Sequence, residues 1–197
     1  ENIKTTRRFL RQLDPKFDID NSFFSILNKH TKLNELHNFL QPCREGKNIG
    51  LISEAGCPGI ADPGASIVSI AHKEDIRVIP LIGPSSIFMA LMASGLSGQN
   101  FCFHGYLPID KSLRIKKIKQ LSSFCIKGSS QIFMETPFRN DALLTDLLIN
   151  LNEDIKLCIA ANISSNSEVI KTLSVKEWKK DRPKLNKKPS IFILGND

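Results

Sequence analysis

The sequence predicts an α/β fold of two lobes, residues 1–82 and 83–197. Apolar segments of strand length alternate with helical segments, which is typical of βαβ units and a parallel sheet. Later in the chain three strand-like segments dominate, so we expect the C-terminal lobe to hold a mixed sheet. At 197 residues, 41% hydrophobic and 24% charged, the chain is long enough for a sizeable core and has an ordinary globular composition.

Helix and strand signals alternate through the first lobe. Leu36 and Leu40 lie at helical spacing, and Pro42 and Gly46 predict the end of that helix. "NIGLIS" predicts a short strand, and "IRVIPLIG" a second one. Between them we expect a helix that is capped by Asp62 and begins with Pro63 in its first turn.

The start of the chain predicts an incomplete first lobe. "ENIKTTRRFLRQL" begins with Glu1 rather than Met and has the apolar spacing of a helix. An α/β lobe normally places a strand before such a helix. We therefore expect the natural protein to carry an additional N-terminal strand.

The second lobe continues the alternation and then becomes rich in strands. "PSSIFMALMASG" predicts a helix that ends at Gly95. Two further helices are expected at "SLRIKKIKQLSSF", which is basic and amphipathic, and at "PFRNDALLTDLLINL". The predicted strands are "FCFHGYLP", "QIFMET", "IKLCIAA", "EVIKTLSV" and "SIFILG".

Composition excludes several classes of protein. No segment approaches the roughly 20 apolar residues of a membrane-spanning helix, and five cysteines without a CxxC pair predict reduced thiols and a cytoplasmic protein. The four histidines are scattered, so no metal site is expected. The net charge is +7, and from Lys111 onward 16 Lys and Arg face 9 Asp and Glu. This excess favours a polyanionic partner such as RNA, with a solvated helix face as the alternative.

Two loops stand where a parallel sheet places ligands, at the carboxyl ends of strands. In "SEAGCPG", Gly56 and Gly59 leave room for a ligand beside the backbone, and Glu54 can accept hydrogen bonds. "GPSS" offers amides and hydroxyls at a helix N-terminus. Neither loop is a phosphate-binding fingerprint, and plain βα turns are the alternative interpretation.

Four motifs in order carry a family resemblance: "SEAGCPGIADPG", "RVIPLIGPSSIFMALMASGL", "FHGYLP" and "FMETPFR". Together they resemble the ribosomal RNA small subunit methyltransferase I group of the tetrapyrrole methylase superfamily. The resemblance implies two α/β lobes with S-adenosylmethionine between them, and a homodimer. It also implies ribose 2'-O-methylation of small-subunit ribosomal RNA. The N-terminal lobe is expected to hold a mainly parallel sheet, which lacks the superfamily's first strand here.

The resemblance also implies the residues of the site. Cofactor contacts are expected from Ser53, Ala55, Gly56, Gly83, Pro84, Ser85, Ser86, Met134, Ala160, Pro189 and Ser190. Glu54, Glu135 and His104 are candidates to assist loss of the hydroxyl proton. Their structural alternatives are a loop cap, an ion pair with Arg139 and a hydrogen-bonded core histidine. The residues expected to contact RNA phosphates are Arg139, Arg114, Lys116 and Lys117.

One segment departs from the family pattern. "CIAANISSNSEVIKTLSVKEWKK" carries a Ser and Asn-rich loop where the family has a helix-forming motif of acidic and basic residues. The substrate is therefore less fixed than the reaction class. A tetrapyrrole or other small-molecule methyltransferase is one alternative, and a catalytically silent RNA-binding or dimerising module is another.

Overall fold

The computed structural model divides the chain into two compact units, Glu1–Ser85 and Ser86–Asp197. The structure describes residues 2–28 and 30–196, apart from the side chain of Leu33. Glu1, on which the expectation about the start of the chain depends, lies outside the described residues. Within the described part, no helix is long and apolar enough to cross a membrane.

The first unit is built from helices around a small apolar core. Its helices are α1 (Ile3–Leu13), α2 (Leu33–Phe39), α3 (Gln41–Arg44) and α4 (Gly64–Lys73). Asn2 caps α1, since its side chain accepts a hydrogen bond from the Thr5 N–H at 3.2 Å. The buried face of α4 supplies Ile67 and Ile70, which pack with Leu36 from α2. A helix is thus present where Leu36 and Leu40 predicted one, while Pro42 lies in the first turn of a second short helix, α3, instead of ending the segment.

The two strands predicted in this unit are not formed. Residues 48–53 and 76–83 carry no regular secondary structure and no β-ladder among the described residues. Leu81 and Ile82 are 87% and 107% exposed. An apolar segment becomes a strand only when a neighbouring strand completes its hydrogen bonds, and the described part of this unit supplies none.

The start of α4 also differs from the prediction. The helix begins at Gly64, and Pro63 takes the N-cap position instead of the first turn. Asp62 still closes the turn, because its Oδ1 accepts from the Gly59 N–H at 2.5 Å and the Gly64 N–H at 2.8 Å. Asp62 therefore closes the turn before α4, but it is not the N-cap residue that the sequence predicted.

The second unit is a five-stranded sheet covered by helices. The strands are β1 (Phe101–Tyr106), β2 (Ser130–Glu135), β3 (Lys156–Ala161), β4 (Val169–Ser174) and β5 (Ser190–Gly195). The helices are α5 (Ser86–Ser94), α6 (Lys111–Ile126), α7 (Asn140–Asn150) and α8 (Val175–Lys180). Strand order is β1-β2-β5-β3-β4. Only β1 and β2 pair in parallel, which confirms the predicted mixed sheet.

Each face of this sheet carries its own apolar core. Phe133 and Phe192 stack in the larger core, with ring centroids 5.8 Å apart, against residues of α6 and α7. Ile132 and Ile193 belong to the other core, which includes Ala90 from α5. Alternate residues of a strand point to opposite faces, so β2 and β5 are buried on both sides.

A helix, α8, lies between β4 and β5, where the sequence analysis predicted none. Ser174 and Glu177 form a reciprocal capping box that starts α8. Trp178 is buried, and its Nε1–H donates to the Leu157 carbonyl at 2.8 Å. The only tryptophan therefore fixes α8 to strand β3.

Candidate functional site

The two predicted loops of the first unit lie together. The Cys57 thiol donates to the Pro84 carbonyl, with 3.6 Å between sulfur and oxygen. Ser53 Oγ donates to the Gly56 carbonyl at 3.0 Å and so closes the first loop. The fold of this unit therefore brings "SEAGCPG" and the start of "GPSS" into one place.

Glycine permits both the shape and the openness of these loops. Gly56 and Gly59 have φ angles of 74° and 80°, a backbone region that favours glycine. No atom lies within 4 Å of the position that a Cβ would take at Gly56 or Gly83. Backbone at both positions is therefore accessible to a ligand.

Glu54 presents an unpaired carboxylate in the same loop. Its side chain is exposed, and it has no hydrogen bond or ion pair among the residues that the structure describes. The alternative interpretation, a cap on the loop amides, is therefore wrong in this structure. The carboxylate is therefore available to a ligand, and its role in the site stays a prediction.

In the second unit, Ser86 begins α5, while Met134, Ala160 and Ser190 lie at one end of the sheet. Ile191 of β5 pairs with Met134 of β2 on one side and with Ala160 of β3 on the other. Ser190 pairs in the same way with Glu135 and Ala161. These two rows lie at one end of the strands β2, β5 and β3, and we call this end of the sheet, with its two rows of paired residues, the sheet edge. Neighbouring strands lie about 4.8 Å apart, so residues distant in sequence share this edge.

Glu135 is held in a structural arrangement. Its carboxylate is buried and forms an ion pair with Arg139, and Oε1 also accepts from the Thr136 N–H at 2.7 Å. Arg139 Nε donates to Thr136 Oγ1 at 3.2 Å. These bonds hold the turn between β2 and α7 in shape. The geometry matches the ion-pair alternative, while part of the Arg139 guanidinium stays accessible.

His104 is placed away from the sheet edge. Gln131 Nε2 donates to the Ser129 carbonyl, so its Oε1 accepts from His104 Nε2 at 2.7 Å. Both side chains line a cavity of about 290 Å³ near the first residues of β2. Burial lowers the pKa of His104. The hydrogen bond to Gln131 matches the structural alternative for His104, and it places this histidine away from the sheet edge.

Arg114 requires correction. Its guanidinium forms an ion pair with Asp146 at 2.7 Å and donates to the Ile109 carbonyl at 2.7 Å. The two side chains are 12% and 7% exposed. Arg114 therefore joins α6 to α7 and offers no free cation to a phosphate. Lys116 is exposed, and Lys117 Nζ contacts Gln120 Oε1 at 3.3 Å, so these two lysines remain candidates.

Sequence reasoning missed a set of contacts around the start of α7. Asn140 is fully buried, and its Nδ2 donates to the Lys188 carbonyl at 2.7 Å. Asp141 Oδ1 accepts from the Leu185 N–H at 2.8 Å. The "RND" letters before an apolar run indicate a helix start, but no local signal shows that residues 182–188 pack against it.

Curated proteins of known name resemble this chain over nearly its whole length. It is 31% identical over 197 residues to ribosomal RNA small subunit methyltransferase I of Buchnera aphidicola (subsp. Acyrthosiphon pisum), with 98% of this chain and 67% of that protein covered. It is 31% identical over 181 residues to the protein of that name from Haemophilus influenzae, covering 90% and 62%. The chain thus spans about two thirds or less of these relatives' lengths. No family model matches it.

Solved structures show the same fold at low sequence identity. A crystal structure of diphthine synthase matches with a TM-score of 0.60 and 16% identity, over 85% of this chain and 67% of that one. A crystal structure of the methyltransferase CobJ matches with a TM-score of 0.57 and 15% identity, over 86% and 73%. These likenesses support the mixed α/β architecture.

Proposed function

The chain belongs to the ribosomal RNA small subunit methyltransferase I family, and we propose that it acts as an S-adenosylmethionine-dependent methyltransferase on small-subunit ribosomal RNA. Family membership confirms the predicted resemblance. The finer assignment, to a ribose 2'-hydroxyl, is part of the proposal. It is supported by the four motifs that resemble this family and by the excess of basic residues in the second half of the chain.

The observation that carries this proposal is the sheet edge. Pairing of β5 with β2 on one side and with β3 on the other places Met134, Ser190 and Ala160 side by side on three adjacent strands, although they are far apart in sequence. Met134 is partly exposed, whereas Ala160 and Ser190 are 0% and 6% exposed in this structure. In the first unit, the loops at Gly56 and Gly83 leave their backbone open. We propose that these loops and this end of the sheet contact the cofactor, as the family resemblance implies.

The cofactor supplies an activated methyl group on a sulfonium, so the protein has mainly to align the reacting groups and exclude water. A hydroxyl nucleophile must also lose a proton. Glu54 is exposed and unpaired among the described residues, whereas the Glu135 carboxylate is occupied by Arg139 and Thr136. We therefore assign proton acceptance to Glu54 and a positioning role to Glu135.

The two-lobe architecture belongs to the same proposal, with its boundary between residues 82 and 83. The first lobe is proposed to be a mainly parallel sheet that contains a further strand. Support comes from Ile79, Leu81 and Ile82, which are apolar, exposed and without a ladder partner among residues 2–28 and 30–85. A homodimer in the cytoplasm is proposed on the family resemblance.

A substitution at Ser85 tests the cofactor assignment. Ser85 follows Pro84, whose carbonyl accepts the Cys57 thiol, so Ser85→Trp would fill the space between the two loops. We expect the variant to stay folded and to lose measurable binding of S-adenosylmethionine and S-adenosylhomocysteine in calorimetric titration. Ser69→Trp, at an exposed position on α4, is the matched control and should bind like the parent chain. Equal affinity in the parent chain and Ser85→Trp would refute the assignment.

A further inference from the structure

A short basic segment, residues 182–188 with the sequence "RPKLNKK", lies between α8 and β5. It contains Arg182, Lys184, Lys187 and Lys188 and no acidic residue. The preceding α8 carries Glu177 among its lysines, and Lys179 Nζ pairs with Glu153, which precedes β3, at 2.9 Å. Residues 182–188, which we call the basic segment, are therefore distinct in charge from the helix before them.

The backbone of the basic segment is fixed at several points. Leu185 is 2% exposed, and its N–H donates to Asp141 Oδ1 at 2.8 Å. The Lys187 N–H donates to the Pro137 carbonyl at 3.0 Å. The Lys188 carbonyl accepts from Asn140 Nδ2 at 2.7 Å. The segment is thus attached to the turn between β2 and α7 and is not a loose linker.

Its lysine side chains have no acidic partner. Lys184, Lys187 and Lys188 are exposed, and no carboxylate of the described residues forms an ion pair with them. Arg182 differs, because its guanidinium donates to the Asp141 carbonyl at 2.7 Å and to Thr145 Oγ1. One cation of the segment therefore serves the fold, and three are presented to solvent on a fixed backbone.

Lys187 occupies an unfavourable backbone region. Its φ is 62°, where a residue with a Cβ is less stable than glycine by roughly 1 kcal/mol. The hydrogen bond from its N–H to Pro137 maintains this conformation. Fold stability alone would favour glycine at this position.

The position of the segment connects it with the sheet edge. It leads directly into Pro189 and Ser190, and Pro137, which it contacts, follows Glu135 by two residues. The three cations therefore lie at the same end of the sheet as the paired rows Met134–Ile191–Ala160 and Glu135–Ser190–Ala161. Fixed, unpaired cations spaced along a backbone suit the phosphates of a nucleic acid strand.

We propose that the basic segment binds the phosphate backbone of the RNA substrate beside the sheet edge. This inference rests on the proposed function and adds to it a surface that the family motifs did not indicate. Binding of each phosphate by a lysine releases a counterion, so affinity should fall with salt concentration in proportion to the number of contacts.

The test is the salt dependence of binding to a fluorescently labelled single-stranded RNA, followed by anisotropy. The variant Lys184→Gln with Lys187→Gln should weaken binding about tenfold and reduce the slope of log K against log salt by about 1 to 2. The matched control is Lys127→Gln with Lys176→Gln. Lys127 precedes β2, and the Lys176 N–H bonds to the Glu153 carbonyl just before β3, so both lie at the opposite end of the sheet. This control should keep the parent slope.

A second variant separates charge from folding. Lys187→Gly relieves the backbone conformation, so its melting temperature should equal or exceed that of the parent chain while its affinity for the RNA falls. Unchanged salt slope in the Lys184 and Lys187 double variant, or an equal loss in the control, overturns the proposal.

Calorimetry with S-adenosylhomocysteine distinguishes failure of this inference from failure of the proposed function. If the double variant still binds S-adenosylhomocysteine and binds RNA with an unaltered salt slope, only the proposed RNA contact of the basic segment is overturned. A parent chain that binds S-adenosylhomocysteine but no RNA overturns the surface and points to a small-molecule substrate. A parent chain that binds neither overturns both proposals.

Discussion

The two units of the molecule treat similar apolar segments in opposite ways. In Ser86–Asp197, "SIFILG" is strand β5, paired on both sides and buried throughout. In Glu1–Ser85, "IRVIPLIG" has a similar composition but no ladder within the described residues, and Leu81 is 87% exposed. Strand propensity is therefore necessary but insufficient, since the hydrogen-bond partners decide whether a segment joins a sheet.

The same contrast separates the predicted cofactor residues of the two units. Met134, Ala160 and Ser190 are fixed by strand register in the second unit. The loops around Gly56 and Pro84 in the first unit are joined by a single thiol contact of 3.6 Å. Residues fixed by register keep their places when a side chain changes, whereas the loops depend on a few local contacts. The following substitutions test this difference, from the largest expected effect to the smallest.

Phe192→Ala should have the largest effect. Phe192 is fully buried on the central strand and stacks on Phe133, so its loss removes apolar contacts and leaves a cavity in the larger core. We expect a loss of about 3 to 5 kcal/mol in the free energy of unfolding, measured with denaturant. Leu81→Ala in the first unit should change it by less than about 0.5 kcal/mol. Equal losses at the two positions would contradict the contrast.

Gly64→Ala tests how tightly the first unit packs at the start of α4. A Cβ there would lie 2.8 Å from Asp62 Oδ1, 2.8 Å from Leu51 Cδ2 and 2.9 Å from the Gly59 nitrogen. We expect a loss of roughly 1 to 3 kcal/mol, because the backbone has to move. Gly50→Ala is the control, since no atom lies within 4 Å of its Cβ position. A Gly64→Ala variant as stable as the parent chain would show that the turn before α4 can accommodate a Cβ.

The smallest effect is expected from an ion pair at the surface of the first unit. Arg44 donates to Glu74 at 2.7 and 2.9 Å, and His37 Nδ1 lies 3.0 Å from the same carboxylate. Arg44 first, and then His37, lower the pKa of Glu74 below its ordinary value of 4.5. Because the pKa of Glu74 is lower in the folded than in the unfolded state, the ion pair stabilises the fold at pH values above 4.5. This stabilisation is lost as the pH falls through the folded-state pKa of Glu74.

Urea unfolding from neutral pH into the acid range measures this contribution. The parent chain should lose more stability on acidification than Glu74→Gln, which has no carboxyl to protonate. Glu35→Gln, at an exposed position in the first turn of α2, should keep the parent profile. Identical pH profiles for the parent and Glu74→Gln would exclude a stabilising role for this ion pair.

The candidate site was only partly predictable from sequence. The loop motifs drew attention to Glu54 and Gly56, and the structure shows an exposed carboxylate and a glycine with a positive φ there, because turn chemistry depends on a few adjacent residues. For His104 and Arg114, the sequence did not show that each side chain has a hydrogen-bond partner within the fold. Gln131 and Asp146, which bind them, are 27 and 32 residues away, and sequence spacing gives no sign of those contacts.

By itself the sequence determined the family and, in the second unit, the order of the strands and of the helices α5, α6 and α7. These properties depend on local periodicity, on turn residues and on motifs in a fixed order. Tertiary structure alone decided which apolar segments became strands, which cations stayed unpaired and how the basic segment 182–188 meets the turn after β2. Those outcomes depend on pairing and packing between residues far apart in the chain, which no local pattern records.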